Sequence, residues 1–158
     1  MATVVIGGVP RGGKSLLAHA VYNSIKCSVV HLDMVCGCVR KAYPSSFPNR
    51  DNPDEIYGLI DDFQDMLIRI IKNIGHEFND IRVFESTFLN PKEVSERLNK
   101  PHYICIYFGY PNVEPEEKLS QLRTYGKSYP QCWTNKVSDT KLIEHLSHFI
   151  EVSKTQKK

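Results

Sequence analysis

Eight consecutive residues near the start of this sequence carry its most specific chemical signal. Residues Gly8–Ser15 read Gly-Val-Pro-Arg-Gly-Gly-Lys-Ser, which satisfies the G-x-x-x-x-G-K-[ST] pattern of a phosphate-binding loop. Glycines let the backbone curl so that consecutive N–H groups point at one anion, and the start of a following helix adds unpaired N–H donors. In such a loop Lys14 reaches the β- and γ-phosphates and the Ser15 hydroxyl binds Mg²⁺. The spacing therefore predicts a nucleoside triphosphate site. The residues predicted to bind the nucleotide are Gly8, Val9, Pro10, Arg11, Gly12, Gly13, Lys14, Ser15 and Leu16.

The motif has this mechanism only between a strand and a helix, and the sequence supplies both. Apolar residues precede the loop, and a helical pattern runs from the loop to about Lys26, with Leu16, Leu17, Ala20, Val21 and Ile25 expected on its buried side. Further apolar runs alternate with helical segments, which is typical of βαβ units and a parallel sheet. None of the runs alternates with polar residues, as expected when helices cover both faces of the sheet. The predicted strands are Thr3–Gly7, Ser28–Leu32, Ile81–Phe84 and His102–Phe108.

Four segments separate or follow these strands. Residues 37–52 are rich in Pro, Ser, Tyr and basic residues and are predicted to be irregular. A long apolar stripe then predicts a helix from Asn52 to Gly75. Asn90 and Glu114 each precede a proline and are predicted to open two shorter helices, and a last helix is predicted from about Ser138 to Lys154.

Composition bounds the class of protein. A chain of 158 residues with ordinary apolar and charged fractions is expected to form a single domain, 1–158. The net charge of +2 gives no specific nucleic-acid signal. The absence of a membrane-length apolar run or a signal peptide predicts a cytoplasmic protein with no membrane partner. The oligomeric state is left open.

The five cysteines are odd in number and form no repeated pair, which predicts reduced thiols. Cys36 and Cys38 raise a metal or redox alternative, but metal-binding pairs usually have wider spacing and a second pair elsewhere.

Two acidic residues follow predicted strands. Asp33 comes after the second strand and Glu85 after the third. The carboxyl ends of parallel strands meet at one edge of a sheet, so both are expected to face one crevice with Lys14 and Ser15. A helix or turn cap is the alternative for each. His31, inside the predicted second strand, is interpreted as a core residue rather than a base.

The arrangement resembles the small P-loop kinases: the adenylate kinase, shikimate kinase, chloramphenicol phosphotransferase and zeta-toxin group. The resemblance rests on the Gly8–Ser15 loop, on Asp33 after strand two, and on the strand end Phe84-Glu85-Ser86 followed by Asn90-Pro91. It implies an α/β fold, a three-layer P-loop NTPase whose parallel sheet has the order 2-3-1-4. The group has a fifth strand after the last helix, and none is visible here.

The resemblance also implies roles for individual residues. Asp33 would orient or deprotonate the acceptor, and Glu85 would hold substrate or a water on magnesium. Residues 37–52, with Arg40, Tyr43 and Arg50, would form the acceptor side. Residues 122–136 would form a lid that contributes Arg123. For the basic residues of both segments, an ordinary solvated surface is the alternative.

These features predict an ATP- or GTP-dependent phosphotransferase that uses Mg²⁺ and acts on a small-molecule hydroxyl or nucleotide acceptor. The catalytic residues are predicted to be Lys14, Asp33 and Arg123. A nucleotide-binding regulatory protein with little catalysis, and a simple ATPase, are the alternatives. The identity of the acceptor is left open.

Overall fold

A computed structural model describes residues 3–46, 63–74, 81–98, 101–130 and 133–155. The chain divides into two compact units, Met1–Phe108 and Gly109–Lys158. The first unit contains, in chain order, β1 (Thr3–Gly8), α1 (Lys14–Ile25), β2 (Ser28–His31), α2 (Leu32–Ala42), a 3₁₀ turn (Pro44–Ser46), α3 (helical over residues 63–74), β3 (Arg82–Glu85), α4 (Pro91–Arg97) and β4 (Tyr103–Phe108). The second contains α5 (Pro115–Ser128), a 3₁₀ turn (Trp133–Lys136) and α6 (Asp139–Thr155).

The four described strands form one parallel sheet in the order β2-β3-β1-β4. This confirms the α/β class and the predicted strand order. Of the eight ends of these strands, five differ from the predicted bounds by one residue and three agree with them. No fifth strand occurs within the described ranges.

Successive residues of a strand point to opposite faces of the sheet, and an apolar cluster that includes helix residues lies on each face. Val5 and Phe84 belong to the larger apolar cluster, which includes residues of α2, α3 and α4. Ile6 and Val83 belong to a second cluster with Ala18 of α1. This two-sided burial accounts for the consecutive apolar residues at 4–6 of β1 and 83–84 of β3.

The prediction that residues 37–52 are irregular was wrong for its first part, since residues 37–42 belong to α2. The helix forms because Leu32, Val35, Cys36 and Val39 fall on one face at helical spacing and pack into the larger cluster. The helix begins directly after β2, so no loop separates them. Residues 47–52 lie outside the described residues.

The long helix is confirmed over residues 63–74, where Phe63, Leu67 and Ile71 are buried in the larger cluster. Its predicted start at Asn52 and its predicted end at Gly75 lie outside the described residues. The helix Pro91–Arg97 has the predicted cap, because the Asn90 side chain accepts a hydrogen bond from the Lys92 amide at 2.9 Å.

The expected buried face of α1 was partly wrong. Ala18 is buried and Val21 packs against the smaller cluster, but Leu16 is 79% exposed and Ala20 is exposed. The buried residues are Lys14 and Ala18, which are four positions apart and therefore point to the same side of the helix.

Candidate functional site

The predicted phosphate-binding loop, Gly8–Ser15, leaves the carboxyl end of β1 and enters α1. Its backbone passes through the left-handed region three times, at Gly8 (φ 122°), Arg11 (φ 60°) and Gly13 (φ 102°). At Gly8 a side chain is excluded for a second reason: an added Cβ would overlap the backbone of Phe108 in β4. Glycine is therefore required at this position by both conformation and space.

Hydrogen bonds close the loop on itself. The Val9 amide donates to the Phe108 carbonyl at 3.0 Å, which ties the start of the loop to β4. The Val9 carbonyl accepts from the Gly12 amide at 3.2 Å and from Lys14 Nζ at 2.9 Å. Lys14 thus folds back over the loop, and its side chain lies inside the curve that the backbone makes.

The start of α1 is left without a side-chain cap. Gly13 occupies the N-cap position, no side chain in the described part of the chain caps the helix, and its first turn contains no acidic residue. The first N–H groups of a helix have no partner within the helix and form the positive end of its dipole. An anion at this position would supply the missing acceptors.

Lys14 is only 5% exposed, so its charge is partly removed from water. Burial lowers the pKa of Lys14 from its ordinary value of 10.5, while the carboxylates of Asp33 and Glu85 act in the opposite direction and Arg11 lowers the pKa further. The pKa of Lys14 thus responds to both carboxylates, which lie where β2 and β3 end at the carboxyl edge of the sheet. Ser15, in contrast, is exposed.

Asp33 lies in the first turn of α2 rather than in a loop after β2. Its Oδ1 accepts hydrogen bonds from Ser86 Oγ at 2.6 Å and from the Thr87 amide at 2.9 Å. Ser86 Oγ in turn accepts from the Phe88 amide at 2.9 Å. Asp33 therefore fixes the residues that follow β3 to the start of α2.

The structure brings His31 to Glu85, a contact that the sequence analysis missed. The two residues are register partners at the ends of β2 and β3, and His31 Nδ1 lies 2.7 Å from Glu85 Oε2. The Glu85 side chain is 6% exposed and that of His31 is 44% exposed. The interpretation of His31 as a core residue was therefore wrong. The position of both residues at adjacent strand ends was visible in the sequence, but the register was not.

His31, Asp33, Glu85 and Ser86 are called the strand-end cluster below. Together with Lys14 they place two carboxylates, an imidazole and an ammonium at one edge of the sheet. Such a set can hold phosphate oxygens on one side and exchange a proton with a hydroxyl on the other.

The predicted acceptor-side residues are placed as follows. Arg40 lies in the last turn of α2, half-buried, and Tyr43 follows that helix with 63% of its surface exposed. Arg50 lies outside the described residues. Leu16 is on the exposed side of α1, so only its backbone could take part in binding phosphate.

The cysteines do not form a site within the described ranges. Cys36 is buried, and burial together with the Asp33 charge raises the pKa of its thiol to about 12. Cys38 is exposed and lies two positions further along α2, where side chains do not face each other. Cys27 and Cys105 are likewise not joined in a disulfide. No group of three or more potential metal-binding side chains occurs in the part of the chain that the structure describes.

Arg123 of α5 is held by its own unit. Its guanidinium donates to the carbonyls of Thr134 (2.5 Å) and Val137 (2.7 Å) and pairs with Asp139, Nε lying 2.8 Å from Oδ1. These bonds join α5 to the start of α6. They are the contacts of a structural residue, and the predicted lid role of Arg123 stays a prediction.

Among the described residues no helix has the length and apolar character needed to cross a membrane. Comparisons of the chain with protein-family models and with curated proteins found no match.

Proposed function

We propose that the chain is a phosphotransferase of the P-loop NTPase fold. It binds ATP or GTP with Mg²⁺ at Gly8–Ser15 and moves the γ-phosphoryl group to a hydroxyl or nucleotide acceptor of small size. One observation carries the proposal: Lys14 is buried inside a closed loop at the uncapped start of α1, beside the carboxylates of two neighbouring strand ends. The Lys14 ammonium is therefore held where the negative charge of a bound triphosphate would pair with it.

The donor side of the reaction rests on Lys14 and the backbone of the loop. Lys14 Nζ exchanges the Val9 carbonyl for phosphate oxygens and stabilises the charge that grows on the transferred group. The N–H groups at the start of α1 orient the same phosphates. Ser15 Oγ is the protein group we assign to magnesium, which would offset the negative charge of the phosphates when bound.

The acceptor side rests on the strand-end cluster. We assign Glu85 to His31 rather than to magnesium, because its buried carboxylate is already bonded to the imidazole. Arg40 and Tyr43, at the far end of α2, stay the predicted binding residues for an anionic or ring-containing acceptor.

The first prediction tests the donor site with Lys14→Ala. For the wild type, Mg·ATP at 100 times its Kd adds about 2.7 kcal/mol to the free energy of unfolding. For a chain of this size that corresponds to a rise in Tm of roughly 5–10 °C. Lys14→Ala should lose this rise and should lower phosphoryl transfer by a factor of about 100 or more, since it removes the main electrostatic contact.

The assay follows γ-labelled Mg·ATP with water, nucleoside monophosphates, sugars and amino alcohols as acceptors. Lys92→Ala, which removes an exposed lysine of α4, is the matched control and should behave as the wild type. Equal binding and turnover in Lys14→Ala would contradict the proposal. Release of labelled phosphate with no labelled acceptor would identify an ATPase, and binding with neither would identify a regulatory nucleotide-binding protein.

A further inference from the structure

His31 and Glu85 share one proton across a 2.7 Å contact, and its position depends on the tautomer of the imidazole. When Glu85 is ionised its carboxylate only accepts hydrogen bonds, so the proton then belongs to His31 Nδ1. In the neutral imidazole this leaves the lone pair on Nε2. Nε2 has no hydrogen-bond partner among the described residues.

Burial is unequal across the pair. Glu85 is almost completely buried at the end of β3, whereas His31 is nearly half exposed at the end of β2. The carboxylate thus lies behind the imidazole, which faces outward at the carboxyl edge of the sheet. A buried carboxylate that orients a half-exposed imidazole is the arrangement by which proteins fix the tautomer of a basic histidine and stabilise its protonated form.

Asp33 is bound differently. Both hydrogen bonds of its Oδ1 go to residues that follow β3, so it holds the backbone of residues 86–88 in place. The chain therefore has two carboxylates at this edge with separate tasks, since one anchors a segment and the other orients a base.

We propose that His31 is the catalytic base of the phosphoryl transfer and that Glu85 is its positioning residue. This inference rests on the proposed function and reassigns the proton-accepting role predicted for Asp33. His31 Nε2 takes the proton of the acceptor hydroxyl while the hydroxyl oxygen forms a bond to the γ-phosphorus. The bond from that phosphorus to the β–γ bridging oxygen breaks, and its electron pair leaves with the diphosphate. The proton on His31 then passes to solvent, to which its side chain is open.

The decisive variant is His31→Gln, whose amide still donates to Glu85 but has no basic nitrogen. Removing a general base lowers the rate by a factor of about 100 to 10,000, so His31→Gln should lower turnover of γ-labelled Mg·ATP within that range. Its Kd for Mg·ATP should stay within about twofold of the wild type, because His31 takes no part in holding phosphate. His102→Asn alters an exposed histidine just before β4, at the opposite edge of the parallel sheet, and should change neither quantity.

Nitrogen-15 NMR of the histidine rings gives a readout that does not depend on turnover. In the wild type, neutral His31 should be the Nδ1–H tautomer, and Glu85→Gln should shift it towards the more common Nε2–H form. Glu85→Gln should also lower turnover, by less than His31→Gln does.

The outcomes separate the two proposals. If Lys14→Ala abolishes binding while His31→Gln turns over Mg·ATP within threefold of the wild type, the role of His31 is wrong and the proposed function stands. An Nε2–H tautomer in the wild type also overturns the inference. If the wild type transfers the labelled phosphate to no acceptor, water included, both proposals fail.

Discussion

The loop Gly8–Ser15, for which we propose phosphate binding, and the strand-end cluster lie at the same edge of the sheet but are built from different parts of the chain. The loop is made by backbone: three left-handed residues, amide and carbonyl bonds to Val9, and the start of α1. The cluster is made by side chains that come from the ends of two strands and the first turn of a helix. Contiguous residues therefore determine the first, and strand register determines the second. A substitution that the backbone conformation cannot accommodate should disrupt the loop, whereas the loss of a single hydrogen-bonding atom from a side chain should disrupt the cluster.

The largest expected effect tests the backbone character of the loop. Gly8→Ala places a Cβ against the backbone of Phe108 at a positive φ, so β4 and the loop must separate. The strain and the overlap together should lower the free energy of unfolding by about 3 kcal/mol or more and should abolish Mg·ATP binding. Chemical denaturation and a thermal shift with Mg·ATP measure the two effects.

Gly37→Ala is the matched control. Gly37 lies inside α2, and an added Cβ meets nothing within 4 Å. Alanine is the better helix former, so this variant should gain about 0.5–1 kcal/mol. Opposite signs for the two substitutions would support a specific requirement at Gly8. A Gly8→Ala variant of wild-type stability that still binds Mg·ATP would show that the loop tolerates a side chain where the geometry excludes one.

The second effect concerns the strand-end cluster. Ser86 is fully buried, and its hydroxyl joins Asp33 to the Phe88 amide. Ser86→Ala leaves that amide and one lone pair of Asp33 without partners, which should cost about 1–3 kcal/mol. Asp33→Asn should cost less, since the amide oxygen still accepts both bonds.

A double-mutant cycle of Ser86→Ala and Asp33→Ala, in which each single substitution removes the bond between the two side chains, isolates their interaction. Residues in one hydrogen-bond network show coupling energies of about 0.5–3 kcal/mol, and a value in this range is expected. Ser24→Ala, at an exposed serine of α1, is the control and should change stability by no more than about 0.5 kcal/mol. Strictly additive costs would mean that Asp33 does not anchor residues 86–88.

The same contrast explains what the sequence could predict. The strand–loop–helix around Gly8–Ser15 and the helix over residues 63–74 follow from patterns along the chain, and both agree with the structure. The strand order was implied by the resemblance to the small P-loop kinases, and it also agrees. The proximity of Asp33 and Glu85 to Lys14 followed from the rule that parallel strands end at one edge, and the electrostatic coupling agrees with it.

Three predictions failed for identifiable physical reasons. His31 was interpreted as a core residue because its exposure depends on the register between β2 and β3, which no local pattern specifies. Residues 37–42 were predicted to be irregular because the composition of the whole segment outweighed the apolar spacing of its first part. Leu16 was assigned to the buried face of α1 because it is apolar. The face that α1 buries is instead the one that carries Lys14 and Ala18, and Leu16 does not lie on it.

The smallest expected effect distinguishes what the backbone of the loop contributes to Mg·ATP binding from what the Arg11 side chain contributes. Within the part of the chain that the structure describes, two residues other than glycine have a positive φ, Arg11 in the loop and Lys26 at the end of α1. A left-handed conformation costs a residue with a Cβ about 1–2 kcal/mol relative to glycine. Lys26→Gly should therefore gain about 1 kcal/mol of stability and leave the Kd for Mg·ATP unchanged, because it only relieves strain at a helix end.

Arg11→Gly relieves the same strain but also removes a charge that acts on Lys14. The Kd for Mg·ATP should rise about 3–10-fold, the equivalent of about 1 kcal/mol for one contact between a charged side chain and a phosphate. If Arg11→Gly binds Mg·ATP as tightly as Lys26→Gly does, the side chain at this position contributes nothing to the phosphates. The loop would then hold its ligand through backbone and Lys14 alone, which would make the contrast with the strand-end cluster sharper still.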